Sequence, residues 1–270
     1  MATTLINTTL IVAYSIVSLL HLAGLLLLWK AKKSLLNQRI LTMNIAAIEM
    51  FYCLEMVVLF STFPYLKTNV ALDYILHFFT VLLYIEIRLT MLHIILDRFL
   101  EIFINIKYPI YMTHKQLLII MASLWSISVA CASISVILQA KQFHLKMALI
   151  LDIVILLCSV TTYGYFFTTV FKMKRLDSSL SGESRTNRVN LLIRKFKLPC
   201  YIVLTYICFN LASTTFITYD HYIPKGERDP IIKVLANTAM ILGFISDSLI
   251  YIFANKNVRT LICTLCRKRN

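Results

Sequence analysis

Long apolar stretches recur along the chain and are separated by short polar segments. A helix that crosses a bilayer needs roughly 20 mostly apolar residues, and seven stretches reach that length. They cover residues 6–30, 38–61, 70–103, 115–138, 146–172, 191–219 and 229–254. The pattern predicts an all-α membrane protein, a seven-transmembrane helix bundle that occupies residues 1–254.

The last segment, residues 255–270, has a different pattern. Among several basic residues, its apolar side chains recur at helical spacing: Val258, Leu261, Ile262 and Leu265. This predicts a short amphipathic eighth helix on the membrane surface, followed by a short tail. Cys263 and Cys266 would lie near the lipid headgroups and are predicted palmitoylation sites. With no second pair of Cys or His nearby, they do not predict a zinc site.

Composition narrows the classes of function. The chain is 59% hydrophobic and 15% charged, whereas soluble domains carry about 25% charged residues. Seven spans and their loops use the whole length of 270 residues, so no separate soluble domain is expected. The sequence contains no evident nucleophile–base pair, metal-ligand spacing or nucleic-acid motif. We therefore expect neither an enzyme nor a protein that binds nucleic acid.

The basic residues are divided unevenly between the two sides of the predicted bundle. Most of the 27 belong to one set of helix ends and loops. The opposite side has Lys67, Lys141, Lys146, Lys225, Arg228 and Lys233. The positive-inside rule makes the rich side cytoplasmic, which predicts an extracellular N-terminus and a cytoplasmic C-terminus. The excess of basic residues, which gives the chain a net charge of +14, then faces anionic lipid of the cytoplasmic leaflet. The glycosylation sequon at Asn7 lies on the extracellular side.

Short motifs stand at particular places within these spans. The third span ends in Asp97-Arg98-Phe99, and Trp125 lies in the middle of the fourth. Further motifs lie in the second, sixth and seventh spans and just after them: Leu41-x-x-Asn44-x-Ala46-x-x-Glu49, Cys208-Phe209-Asn210-Leu211, Asp247-Ser248-x-x-Tyr251 and Asn255-x-x-x-Arg259. In this order and spacing, along the whole chain, the motifs resemble those of the rhodopsin-like (class A) G-protein-coupled receptor family.

The chain departs from that family at several positions. The usual disulfide of the family cannot form. Asp73 occupies the position of one of its cysteines, and the loop at residues 139–144 contains no cysteine. Leu211 and Ser248 replace the prolines of the sixth and seventh helices. The resemblance therefore implies a divergent member, and it leaves coupling to a G protein open.

The resemblance implies a receptor of the plasma membrane. Such a receptor passes the signal of an extracellular small or lipophilic ligand, chemosensory ligands included, to a cytoplasmic heterotrimeric G protein. The implied site residues form three groups: a coupling switch at Asp97, Arg98, Phe99, Tyr165 (or Tyr163) and Tyr251; a sodium or proton site at Glu49 and Asp247; and a ligand pocket at Thr80, Tyr84, Phe209, Ser213 and Asn237. The ligand, the class of G protein and assembly into a homo- or heterodimer stay open.

Charged residues inside the spans also admit other functions, because such residues are costly in a membrane. Glu86 and Arg88 point to different faces of one helix, so Arg88 is expected to pair with an acid of another helix. Glu55 and Asp152 could form such pairs or line a pocket. Alternatively, Glu86, Arg88 and Asp152 form, together with the sodium-site acids Glu49 and Asp247, the ion path of an ion-coupled transporter or channel. The missing disulfide and prolines also fit a non-signalling decoy or partner receptor.

Overall fold

The computed structural model describes residues 2–30, 36–66, 68–104, 108, 112–138, 143–177, 183–222, 230–253 and 256–267. These ranges are almost entirely helical and contain no strand. The helices are α1 (Ala2–Lys30), α2 (Leu36–Thr62), α3 (Val70–Ile104), α4 (His114–Ile137), α5 (Phe143–Asp177), α6 in three consecutive segments (Glu183–Thr205, Tyr206–Asn210 and Leu211–Tyr222), α7 (Pro230–Phe253) and α8 (Lys256–Arg267). Within the described part of the chain, α1 to α7 are long and apolar enough to cross a membrane. The predicted fold class is confirmed.

The third helix is the centre of the bundle. It packs against α2, α4, α5 and α6, while α7 closes the bundle by packing against α1, α2 and α6. In its most apolar window, 72% of the α3 residues are buried, compared with 17% for α4 and 28% for α5. Polar side chains on α3 are therefore enclosed by other helices rather than exposed to lipid.

The outer surface of the bundle is apolar. Large side chains such as Ile127, Val160 and Phe171 are mostly exposed on α4 and α5. A soluble monomer rarely presents so continuous an apolar surface, whereas the hydrocarbon of a bilayer covers it without cost. The architecture is that of a multi-pass membrane protein.

The eighth helix has the predicted amphipathic pattern. Val258 is fully buried and α8 packs against α1 and α7, whereas Arg259 and Cys263 are exposed. α7 ends at Phe253 and α8 begins at Lys256, so the bundle passes into α8 at the place that the sequence predicts.

The sixth helix is longer and less regular than its hydropathy predicts. It begins at Glu183, before the first predicted residue at 191, because a hydropathy window detects only its apolar part. Pro199 lies inside it, and residues Tyr206–Asn210 form a π-helical turn in which the Leu211 N–H donates to the Tyr206 carbonyl. Prolines and π-turns both interrupt the regular helical hydrogen bonds and permit bending. α6 is thus irregular although the family's proline is absent at Leu211.

Successive helices are joined by short connections and therefore run in opposite directions. α1 ends at Lys30 and α3 ends at Ile104 on the same end of the bundle, where the basic residues collect. We call this the basic end. The opposite end contains the start of α1 and the start of α3.

Candidate functional site

A buried ionic cluster lies at the basic end of α3. Arg98 donates from one guanidinium nitrogen to Asp97 and from another to Glu101, which lies one turn further along the helix. The hydroxyl group of Tyr108 donates to the other oxygen of Asp97. All four residues are at least nine-tenths buried. The guanidinium charge is therefore neutralised within α3 and its following turn.

Tyr108 lies beyond the membrane span and is held by a turn in which the Met112 N–H donates to its carbonyl at 2.8 Å. Burial and the neighbouring Asp97 carboxylate raise the pKa of Tyr108. The phenol consequently keeps its proton at physiological pH, and that proton serves the bond to Asp97. The turn after α3 and the ionic cluster are thus joined by one hydrogen bond.

Beside Arg98, the helices at the basic end are closed against one another. A cleft of only about 10 Å³ remains there. It is lined by Leu41, Thr42, Ile94, Arg98, Pro199 and Ile202, which belong to α2, α3 and α6. Such a space is about one water in size. The structure therefore represents an arrangement in which nothing larger can reach Arg98 between α3 and α6.

Two aromatic residues of the predicted coupling switch, Phe99 and Tyr165, lie beside each other. Phe99 stacks on Phe103 with ring centroids 5.9 Å apart, and the Tyr165 ring is 6.1 Å from Phe99. Tyr165 is 44% exposed, at the periphery of the bundle. Tyr163 is half-buried, and its hydroxyl has no hydrogen-bond partner among the described residues. Of these two tyrosines, Tyr163 has the enclosed hydroxyl group, and Tyr165 packs beside Phe99.

A second buried cluster contains the two acids predicted to form a sodium or proton site. Glu49 of α2 and Asp247 of α7 are fully buried, and their carboxyl groups lie next to each other. The hydroxyl of Tyr251 donates to Glu49 at 3.1 Å, and His21 Nδ1 lies 3.6 Å from the same oxygen. Thr205 of α6 donates to Asp247. Tyr251, predicted as part of the coupling switch, thus contacts the acidic cluster in this arrangement.

The two carboxyl groups of the acidic cluster form a side-chain hydrogen bond with each other, so one of them carries the shared proton. Carboxylate and hydroxyl oxygens suit a hard cation, and two adjacent carboxyl groups can also share a proton. No three His, Cys, Asp and Glu side chains in the described ranges converge as metal ligands. A sodium ion at this place would be held by the carboxylates of Glu49 and Asp247.

A third cluster joins α3, α5 and α6 through Arg88. Arg88 Nε lies 3.1 Å from Asp152 Oδ1, and its other nitrogens donate to Thr214 Oγ1 at 2.6 Å and to the Tyr84 carbonyl at 2.7 Å. The guanidinium carbon also lies 3.7 Å from the centre of the Tyr84 ring. Tyr206 donates to Asp152. The prediction that Arg88 pairs with an acid of another helix is confirmed.

Glu86 has a separate set of partners. Ser128 of α4 donates to one of its oxygens at 2.6 Å, and Thr90 donates to the other at 3.2 Å. As predicted, Glu86 and Arg88 do not pair, since they leave α3 on different faces.

The residues predicted to form the ligand pocket contact different neighbouring helices. Thr80 bonds to α2, Tyr84 bonds to α6 through Thr214 at 3.3 Å, and Asn237 accepts a bond from α1 at 3.0 Å. Ser213 is fully buried, and Phe209 packs against Gly243 of α7. Thr80, Tyr84 and Asn237 thus form hydrogen bonds between helices, whereas the Ser213 hydroxyl has no partner among the described residues. The five therefore remain a prediction as ligand contacts.

A cavity of about 350 Å³ lies elsewhere, between α2, α3 and α4. It is lined by Phe51, Glu55, Val58, Leu76, Phe79, Leu82, Leu83 and Trp125. None of the five predicted pocket residues lines it. Glu55, which the sequence marks as an intramembrane acid that could line a pocket, does line this cavity.

Several residues of these clusters escaped the sequence analysis. Glu101 could have been found, because an acid three residues after Arg98 lies on the same side of a helix. His21 could also have been found, as an ionisable residue in an apolar span. Tyr108 carries no such signal, since its contact with Asp97 depends on how the chain turns after α3.

The predicted modification sites lie near the ends of the bundle. Cys263 is exposed on α8, whereas the side chain of Cys266 lies outside the described part. Asn7 is half-buried within α1, and the hydroxyl of Thr9 donates to the Leu5 carbonyl at 2.9 Å. Asn7 is therefore part of a regular helix.

The chain matches no protein-family model, and it has no significant match among curated proteins. Membership of the rhodopsin-like receptors consequently stays a prediction from motifs.

Proposed function

We propose that the protein is a divergent rhodopsin-like G-protein-coupled receptor of the plasma membrane, with the basic end in the cytoplasm. The observation that carries the proposal is the ionic cluster at the end of α3. It holds a buried, permanently charged arginine beside the closed cleft between α3 and α6. The charge of Arg98 is balanced by two carboxylates, one of which also binds a tyrosine hydroxyl. Once these contacts are released, the guanidinium group is available to bind a partner protein.

The proposed mechanism is a shift between two arrangements of the bundle. In the arrangement described here, Asp97 and Glu101 hold Arg98, and α6 closes the cleft. In the signalling arrangement, the basic half of α6 moves away from α3, bending at Pro199 and the Tyr206–Asn210 turn. Arg98 then leaves its carboxylates and meets a terminal helix of the G protein.

The acidic cluster lies in the interior of the bundle, where Glu49 and Asp247 are fully buried. Its members come from α1, α2 and α7, and Thr205 ties it to α6 next to the π-turn. A sodium ion or proton held by Glu49 and Asp247 would offset negative charge in a low-dielectric interior. It would stabilise the arrangement in which these helices are close.

The test uses Asp97→Asn, which keeps the shape of the side chain but weakens its hold on Arg98. In membranes with purified heterotrimers of each G-protein class, this variant is expected to raise basal nucleotide exchange above the native level. Adding Arg98→Ala to Asp97→Asn should return exchange to background. Asp73→Asn, at the opposite end of α3, is the matched control and should leave exchange unchanged.

The proposal is wrong if well-expressed Asp97→Asn protein promotes no exchange with any heterotrimer. It is also wrong if the exchange persists after Arg98→Ala. The first result would favour a decoy or partner receptor.

One observation favours the ion-coupled transporter as a second candidate: Glu49 and Asp247 are two adjacent carboxyl groups buried inside the bundle. The remaining intramembrane charges argue against an ion path, because Arg88 is bonded to Asp152 and Glu86 is bonded to Ser128. Sodium or proton flux into liposomes that contain the protein, abolished by Glu49→Gln, would support the transporter instead.

A further inference from the structure

The π-turn of α6 is held at both of its ends. Tyr206, its first residue, donates a hydrogen bond to Asp152 of α5. Thr214 lies one turn beyond its last residue, Asn210; it donates to the Asn210 carbonyl at 2.9 Å and accepts from Arg88 of α3 at 2.6 Å. Because Arg88 also lies 3.1 Å from Asp152, one ion pair connects the two ends of the turn.

These contacts lie in the interior of the bundle. The side chains of Arg88, Asp152, Tyr206 and Thr214 are at most 2% exposed. A buried polar group that loses its partner incurs the full cost of its desolvation. A bend of α6 that separates Tyr206 from Asp152 therefore leaves the tyrosine hydroxyl unsatisfied inside the membrane.

The residue before the turn has a polar contact of its own. Thr205 donates to Asp247 of α7. The π-turn and its two flanks thus bind polar groups of α3, α5 and α7, although α6 is irregular at this point and is free to bend there.

Stability alone gives little reason for an ion pair at this place. Charged side chains are costly within a membrane, and replacing a buried ion pair by apolar residues is often neutral or stabilising. A buried polar network can instead select one arrangement of the helices that contribute its members. Every other arrangement leaves some of those members without a partner.

We propose that Arg88 and Asp152 form an interhelical clamp that restrains α6 at its π-turn. Movement of the basic half of α6 requires Tyr206 to leave Asp152. The ionic cluster at Arg98 lies within α3 and its following turn, whereas the clamp joins α3, α5 and α6. As a control of signalling, this inference rests on the proposed function; the restraint on α6 does not, and it can be measured without a G protein.

The experiment measures the position of the basic half of α6 in the full chain, in lipid nanodiscs. Spin labels are attached to azide-bearing residues introduced at Lys197 of α6 and Lys115 of α4, which are both exposed, so that the cysteines stay unlabelled. Double electron–electron resonance then gives the distribution of distances between the labels. A second pair, at Trp29 of α1 and at Lys115, reports whether the bundle as a whole has loosened.

Two conservative changes release the turn from the clamp. Tyr206→Phe keeps the ring and removes the donor to Asp152, and Thr214→Val keeps the shape and removes the acceptor for Arg88. Together they should raise the ratio of longer to shorter α6–α4 distances about tenfold or more, because each removes a hydrogen bond to a charged group. The α1–α4 distances should stay unchanged. Thr214→Ser, which keeps the hydroxyl, should restore the distribution seen with Tyr206→Phe alone.

The same replacements at exposed positions of α6 are the matched controls. Tyr219 is 59% exposed, and Thr215 is exposed and donates to the Leu211 carbonyl of its own helix. Tyr219→Phe and Thr215→Val should give the native distances.

Replacing the ion pair itself separates a restraining role from a stabilising one. Arg88→Met combined with Asp152→Leu removes both charges. The bundle should remain folded with native α1–α4 distances, yet show the longer α6–α4 distances. A contact that only stabilises the fold would not move one pair of labels without the other.

Native α6–α4 distances in the chain that carries both Tyr206→Phe and Thr214→Val would overturn the inference. So would an equal shift in the two control variants, or a shift of both label pairs together. These results leave the nucleotide-exchange test of the proposed function intact. Longer α6–α4 distances together with silent Asp97→Asn protein would contradict the receptor and retain the clamp.

Discussion

Replacing Asp152 by leucine should leave the Arg88 guanidinium buried without its carboxylate. Removing one member of a buried ion pair typically costs about 3–5 kcal/mol. Arg88 would keep its bonds to Thr214 and the Tyr84 carbonyl and its position over the Tyr84 ring, which lowers the cost. Tyr206 would lose its acceptor, which adds about 1–3 kcal/mol. We therefore expect Asp152→Leu to destabilise the bundle by about 3–5 kcal/mol.

The companion change, Arg88→Met, leaves the Asp152 carboxylate with Tyr206 alone and should cost a similar amount. The double variant removes both charges, and apolar replacements of buried ion pairs are often neutral or stabilising. It should therefore be much more stable than the sum of the single changes predicts. The coupling energy should reach at least about 2 kcal/mol, within the range for contacting residues.

The assay is reversible unfolding in mixed micelles by titration with dodecyl sulfate, followed by tryptophan fluorescence. Arg88→Lys serves as a control, since it keeps the charge but loses the fork of donors, and should fall between the native protein and Arg88→Met. If the two single changes add within about 0.5 kcal/mol, Arg88 and Asp152 are independent and the buried pair does not stabilise the bundle.

Two further outcomes follow from close contacts. A methyl group at Gly243 would lie 3.0 Å from Phe209 Cβ, so Gly243→Ala should lower the unfolding free energy by about 1–3 kcal/mol. A methyl group at Gly164 would meet nothing within 4 Å, so Gly164→Ala should be neutral or stabilising. Tyr108→Phe removes a donor to a buried carboxylate and should cost about 1.5–3 kcal/mol in the same titration. The matched Tyr165→Phe change, at an exposed ring, should have little effect, and equal losses for the two tyrosines would contradict the role of the Tyr108 bond.

The helices were predictable because a membrane imposes one dominant requirement, apolar length, that a hydropathy pattern detects directly. The ends of α6 were not, since the segment from Glu183 is helical but polar and carries no hydropathy signal. Its π-turn at Tyr206–Asn210 contacts α7, and no spacing in the sequence indicates it.

The clusters were predictable only in part. Intramembrane charge is rare enough that Glu49, Asp247 and Arg88 could be identified from the sequence, and the structure gives each a partner on another helix. The cavity was missed because an empty volume is left by the shapes of neighbouring side chains. Glu55 can be identified in the sequence as an intramembrane acid. That one of its carboxyl oxygens has no hydrogen-bond partner among the described residues is evident only from the structure.

The unequal enclosure of the helices has a consequence for how this protein can change over evolutionary time. Most positions of α4 face lipid, where any apolar side chain is compatible with the hydrocarbon. Substitutions among Leu, Ile, Val and Phe at such positions should not lower stability. α3 has no such freedom, because three of its charged residues (Glu86, Arg88 and Arg98) are held by partners that would have to change with them. Substitutions should therefore accumulate rapidly in the outer helices. In the central helix they should accumulate slowly, and a change at one charged residue should be accompanied by a change at its partner.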